Sequence, residues 1–179
     1  MKVINHHERL LDTDMETVGH LLEDLASRKD QMWPKALWPA MRFDKGLVVG
    51  SVGGHGPIGY TIETYIPRHS IRFQFIRPKG FLGWHGLDLQ QVSKGRTRIR
   101  HQLEMNLAGT TRITWPLLLG PLHDALIEDA FTTTEIALGL TPTIETWTTY
   151  VRLARWIVSL GRASKQDFAA KTANMQINE

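Results

Sequence analysis

The sequence predicts an α+β domain, an antiparallel sheet covered on one face by helices, and three observations carry the prediction. From Pro57 to Leu107 polar and apolar residues alternate in segments separated by turn residues, the period of half-buried strands. From Pro116 to Gly139 the residues Leu119, Leu122, Leu126, Ala130 and Ala137 recur along one helical stripe, with Asp124, Glu128 and Glu135 away from it. After the break Thr141-Pro142-Thr143, the residues Ile144, Trp147, Tyr150, Val151, Ala154, Ile157 and Val158 fit a further amphipathic helix that ends near Gly161.

In chain order, Val3 to Leu11 reads as a first strand and Asp12-Thr13-Asp14 as a turn leading into a helix from Met15 to Ala26. Asp14 suits the N-cap, and Val18, Leu21, Leu22 and Leu25 recur at spacings of three and four. Trp33 and Trp38 lie among prolines that bar a long helix, so this stretch reads as a turn and loop plugging one end of the sheet. Leu47 to Val52 reads as a strand, and Gly53-Gly54-His55-Gly56-Pro57 as the tight connection after it.

In the central sheet Ile58, Tyr60, Ile62 and Ile66 share a face, and a two-residue turn closed by Pro67 and Ser70 would set Phe75 opposite Ile62 and Phe73 opposite Thr64. In the next hairpin, pairing Val92 with Arg96 puts His101 opposite Leu87 and diagonal to His85, so two histidines sit on the apolar faces of neighbouring strands. Thr114 is a cap for the long helix, Pro121 a kink or its true start, and Gly139 its end. This divides the chain into a domain over 1–139, an additional helix over 140–163 and a flexible tail over 164–179.

Composition narrows the function. Hydrophobic residues make up 42% and charged residues 22% of 179, a soluble globular balance, and the longest apolar run, Trp115 to Leu122, is too short to span a bilayer. Without cysteine there are no disulfides or thiolate metal ligands, and with no signal peptide visible the cytoplasm is the expected compartment. The net charge of +3 comes from 21 basic and 18 acidic residues with no dense basic run, so no nucleic-acid partner is expected.

The segments Gly53-Gly54-His55-Gly56-Pro57, Pro78-Lys79-Gly80-Phe81-Leu82-Gly83-Trp84-His85-Gly86 and Pro121-Leu122-His123-Asp124-Ala125-Leu126-Ile127-Glu128-Asp129, with this order of elements, resemble the helix-grip superfamily of START and birch-pollen-allergen proteins, including SRPBCC and polyketide cyclase/dehydratase-like chains. The resemblance covers about residues 1–139. It implies a curved antiparallel sheet wrapped around the long C-terminal helix, with an apolar cavity between them, in a superfamily that includes both carriers and enzymes.

On that fold His85, His101 and His123 are the candidate acid/base groups, since imidazole exchanges protons near neutral pH. Ordinary core histidines satisfied by neighbours are the bland alternative. Trp33, Tyr60, Ile62, Phe73, Phe75, Leu87, Leu103, Met105, Leu126 and Ala130 are the expected ligand-binding wall, with Trp84 at its rim. No cofactor is expected, and no metal, because the three histidines lack a short ligand spacing and no carboxylate is firmly placed on their face.

Three functions fit. The first is binding of a hydrophobic or aromatic small molecule, lipid or polyketide-like; the second is a cyclase or dehydratase using the cavity histidines; the third is an interaction module without a ligand. The helix beyond the common core, with Trp147 and Tyr150 as anchors and Arg152 and Arg155 on its polar side, suits packing on its own domain, a homodimer, or an anionic membrane surface through residues 144–158.

Overall fold

Tight turns between consecutive alternating segments leave antiparallel pairing as the only short route, and every pairing in the sheet is antiparallel. The computed structural model describes residues 1–159; the rest of the expected last helix and the expected tail lie outside the described residues. The elements are β1 (Lys2–Leu11), α1 (Met15–Glu23), β2 (Arg42–Phe43), β3 (Val52–His55), β4 (Ile58–Ile66), β5 (Ser70–Arg77), β6 (Phe81–Ser93), β7 (Arg96–Leu107), α2 (Thr111–Thr114), a π-helical turn (Trp115–Leu119), α3 (Gly120–Ala137) and α4 (Thr149–Ser159). The seven strands lie in the order β1-β7-β6-β5-β4-β3-β2, which brings the first strand beside the last. One face of this sheet and the long helix enclose the core.

The β6–β7 register sets Leu87 opposite His101, as the alternation predicts, although Ser93 and not Val92 closes on Arg96 because a bulge intervenes. In β4–β5 the expected register is wrong by two. Phe75 faces Tyr60 and Phe73 faces Ile62, because the turn holds three residues between Ile66 and Ser70, with Arg68 at φ 60°, and because a bulge follows Ile62. The same bulge turns Ile66 to solvent.

The strand expected at Leu47 to Val52 is instead mostly turn, and Gly53-Gly54-His55 is strand. A Cβ on Gly53 would lie 2.0 Å from the Arg42 carbonyl oxygen, so the glycine lets β2 close on β3. Asp14 caps α1 as expected, accepting from the Thr17 N–H at 2.8 Å, and that helix stops at Glu23.

The long helix starts at Thr111, ahead of Thr114, which makes no side-chain cap. Pro121 lies inside it, and the π turn just before lets Gly120 N–H reach the Trp115 carbonyl in place of a ladder that proline interrupts. Gly139, at φ 68°, ends it. The helix expected from Ile144 begins at Thr149; before it, Thr143 N–H and hydroxyl both donate to Glu135, which holds that approach against α3. Val151 and Ala154 of α4 are buried, and Arg155, expected on the polar side, is buried with its guanidinium 5.0 Å over the Trp38 ring. Tyr150, Leu153, Trp156 and Ile157 face outward.

Candidate functional site

Between the sheet and α3 lie two adjoining cavities, of about 110 Å³ and about 40 Å³, that share His55, His85, His123 and Leu126 in their walls. The larger is otherwise apolar, with Phe75, Phe81, Leu103, Trp115 and Leu122 among its lining. Of the expected wall, Phe75 and Leu103 line the larger cavity, Trp33, Phe73, Leu87 and Ala130 the smaller, and Leu126 both. Tyr60, Ile62 and Met105 are buried behind that surface as packing. Trp84 points to the opposite face, where Arg72 lies 4.0 Å over its ring.

The three histidines picked from the sequence do meet. Phe75 stacks on His85 at 4.8 Å between centroids, while Phe73 and Tyr60 close two further sides at 4.9 and 4.8 Å. His85 Nδ1 is 3.3 Å from His101 Nε2, and the His101 and His123 rings lie 5.0 Å apart. One of the two nitrogens His85 and His101 share must donate and the other accept. Each ring then has one nitrogen left, and His85 Nε2, His101 Nδ1 and His123 Nε2 have no hydrogen-bond partner among the described residues. Whichever tautomer forms, one of the first two is a bare donor and the other a bare acceptor.

Burial keeps these imidazoles neutral. Removal from water, helped by the neighbouring His123, pushes His85 and His101 well below the ordinary histidine value and takes His55 to about 4. His123 is lowered by burial too, against the pull of Asp124.

On its other side His123 meets a polar cluster that the sequence reading did not assemble. His123 Nδ1 lies 3.3 Å from Asp124 Oδ1, and the same oxygen lies 3.2 Å from His7 Nε2 and accepts from Asn5 Nδ2 at 2.9 Å. His7 Nδ1 is 2.6 Å from Glu128, which also takes Arg9 at 2.6 Å, and Arg9 reaches Glu135 at 2.8 Å. Burial disfavours a charged His7, but the hydrogen bonds and charges of Asp124 and Glu128 outweigh it and raise the imidazole to about 9. The carboxylates that the helical stripe sets away from the apolar face therefore do not all face water; they pair with the inner row of β1. His55 is the other residue missed, because its glycine-rich surroundings read as a turn.

No family model and no curated protein matches the chain. Among solved structures it is similar to norcoclaurine synthase from Thalictrum flavum in complex with dopamine and hydroxybenzaldehyde, with 16% identity and a TM-score of 0.58 over 80% of this chain and 90% of that one. It is similar to a protein from Thermobifida fusca, with 11% identity and a TM-score of 0.58 over 79% of this chain and 97% of that one. CalU16 from Micromonospora echinospora shares 8% identity with a TM-score of 0.55 over 92% of this chain and 98% of that one. At such identities the likeness speaks to fold. Together with the seven-stranded sheet, the long helix and the cavity between them, it gives the chain a helix-grip fold.

Proposed function

We propose that the chain binds a small aromatic molecule bearing one polar group, held between the sheet and α3. The observation that carries this is the pair of partnerless imidazole nitrogens, His85 Nε2 and His123 Nε2, on residues that line an otherwise apolar cavity. A buried polar atom left unpaired costs about 1–3 kcal/mol, which a ligand hydroxyl or carbonyl recovers, while the apolar wall favours its ring. Size selects among the ligands the fold allows. An engineered cavity of ~150 Å³ takes benzene, so about 110 Å³ suits one ring and not a lipid chain. Norcoclaurine synthase, which shares the fold, is seen with dopamine and hydroxybenzaldehyde, both single-ring compounds. Titration with phenol, 4-hydroxybenzaldehyde and dodecanoate, followed by the imidazole NMR signals, tests the reading. The single-ring compounds should shift His85 and His123, and His85→Leu should weaken phenol more than toluene; dodecanoate binding alone would overturn it.

A second reading, catalysis of the cyclase or dehydratase type, is favoured by the Asp124–His123 contact. A carboxylate that takes the Nδ1–H leaves Nε2 as a proton acceptor, the arrangement of an oriented general base. Turnover of candidate polyketides by the wild type and its loss in folded His123→Gln are the expected results; no turnover by the wild type would remove the reading, and turnover that survives in His123→Gln would remove His123 as its base. The outward row Tyr150, Leu153, Trp156 and Ile157 supports an interaction role besides, for which sedimentation velocity on the full chain is the test.

A further inference from the structure

We propose that His7, His123 and Asp124 form a site for a divalent transition-metal ion of the zinc class, set between β1 and the first turns of α3. Each residue offers one ligand atom, and the three atoms lie within 4.8 Å of one another. Around a tetrahedral zinc with bonds of ~2.0–2.1 Å, neighbouring ligand atoms stand ~3.3 Å apart. Two of the three separations already have that value: His7 Nε2 to Asp124 Oδ1 is 3.2 Å, and His123 Nδ1 to Asp124 Oδ1 is 3.3 Å. Only the two imidazole nitrogens have to approach one another. Nitrogen from two histidines with one carboxylate oxygen suits zinc, cobalt or nickel and not magnesium or calcium, which want oxygen throughout.

The surroundings have the form that such ions need. Glu128 lies 2.6 Å from His7 Nδ1, so that with an ion bound it takes the Nδ1–H and leaves the Nε2 lone pair directed at Asp124. Arg9 fixes Glu128 in turn at 2.6 Å, and Asn5 fixes Asp124. An ion also has a way in. The Asp124 side chain is 49% exposed and lines an outer groove with Glu128 and Tyr150, whereas His7 and His123 are 13% and 15% exposed. Three protein ligands leave a fourth position for water.

The histidine placement gives the ion a consequence on the far side of the ring. Without it, the Nδ1–H of His123 points at Asp124 and Nε2 is an acceptor. With an ion on Nδ1, the neutral ring carries its proton on Nε2, which becomes a donor on a residue of the cavity wall. The site itself does not depend on what the cavity binds, so the two are tested separately.

The test titrates tag-free, chelator-treated full-length protein with Co²⁺ and Zn²⁺. We expect one ion per chain, with the intense visible absorption of four-coordinate Co²⁺ displaced by Zn²⁺. Asp124→Asn and His7→Gln should each abolish it, and Glu128→Gln should weaken binding ~10–100-fold. Circular dichroism establishes that each variant is folded. Should a variant fail to fold, the wild type decides alone: Co²⁺ must broaden the imidazole signals of His7 and His123 before those of His20 and His69, and Zn²⁺ must move the His123 proton from Nδ1 to Nε2. Binding that persists in folded Asp124→Asn, no four-coordinate spectrum, or broadening confined to His20 and His69 would overturn the proposal.

Discussion

Acidification tests the neutral state of the cavity histidines. His55, at about 4, and His85 and His101, well below the ordinary value, bind protons less readily in the fold than in the unfolded chain, so the unfolded state takes up more protons below pH 6.5 and stability must fall with pH. A group that stays neutral in the fold against an unfolded pKa of ~6.5 costs about 2 kcal/mol at pH 5 and almost nothing at pH 7.5. Three such groups give about 6 kcal/mol. His7, raised to about 9, works the other way: its stabilisation is complete below pH 6.5, is lost as pH rises through 9, and adds about 1 kcal/mol between pH 7.5 and 5, less after solvent screening. The net loss of about 5 kcal/mol is comparable with the whole stability of many domains. Urea unfolding in chelator at the two pH values measures it. In His85→Phe, which keeps the ring stack with Phe75, the loss should shrink by about 2 kcal/mol. A urea midpoint that does not move between pH 7.5 and 5 would show that these rings titrate as in water, and the argument from burial would fail.

Three further outcomes follow from particular contacts. Glu135→Ala strands Arg9 with one carboxylate and leaves the Thr143 N–H without its acceptor, so it should cost about 3 kcal/mol in chemical denaturation. Gly53→Ala sets a Cβ 2.0 Å from the Arg42 carbonyl oxygen, so β2 should part from β3 and the His55 pKa, followed by NMR, should return toward ~6.5. Leu119→Phe grows into the larger cavity, and should abolish phenol binding while the thermal midpoint holds within a few degrees.

The parts of the fold that alternation governs were legible. The β6–β7 register and the meeting of His85 with His101 follow from a period of two, which a buried face enforces at every residue. Where the chain departs from that period, the pattern misleads. The bulge after Ile62 shifts β4 against β5, and nothing in the composition of Glu63-Thr64-Tyr65 announces it. Gly53-Gly54-His55 reads as turn because glycine usually marks one; here the missing side chains allow a close backbone approach, which is a tertiary reason.

The site divides the same way. A histidine on an apolar strand face stands out, so His85 and His101 could be found, and His123 lies beside a clear stripe. His7 could not be weighed alone, since β1 alternates with either row free to face in. Its inner row is Val3, Asn5, His7, Arg9 and Leu11, three of them polar, which by itself argues for the solvent side. What reverses that choice is the partner: Asp124, Glu128 and Glu135 follow one another along α3 and face Asn5, His7 and Arg9 pair by pair. The topology that lays β1 beside β7 puts the two polar rows together, and neither row has a reason to be buried without the other. The same join leaves His123, a residue of the cavity wall, with the carboxylate of Asp124 at one nitrogen and no hydrogen-bond partner among the described residues at the other. The hydrogen bonding of His123 is therefore set by a cluster on the side of its ring where Asp124 and His7 lie.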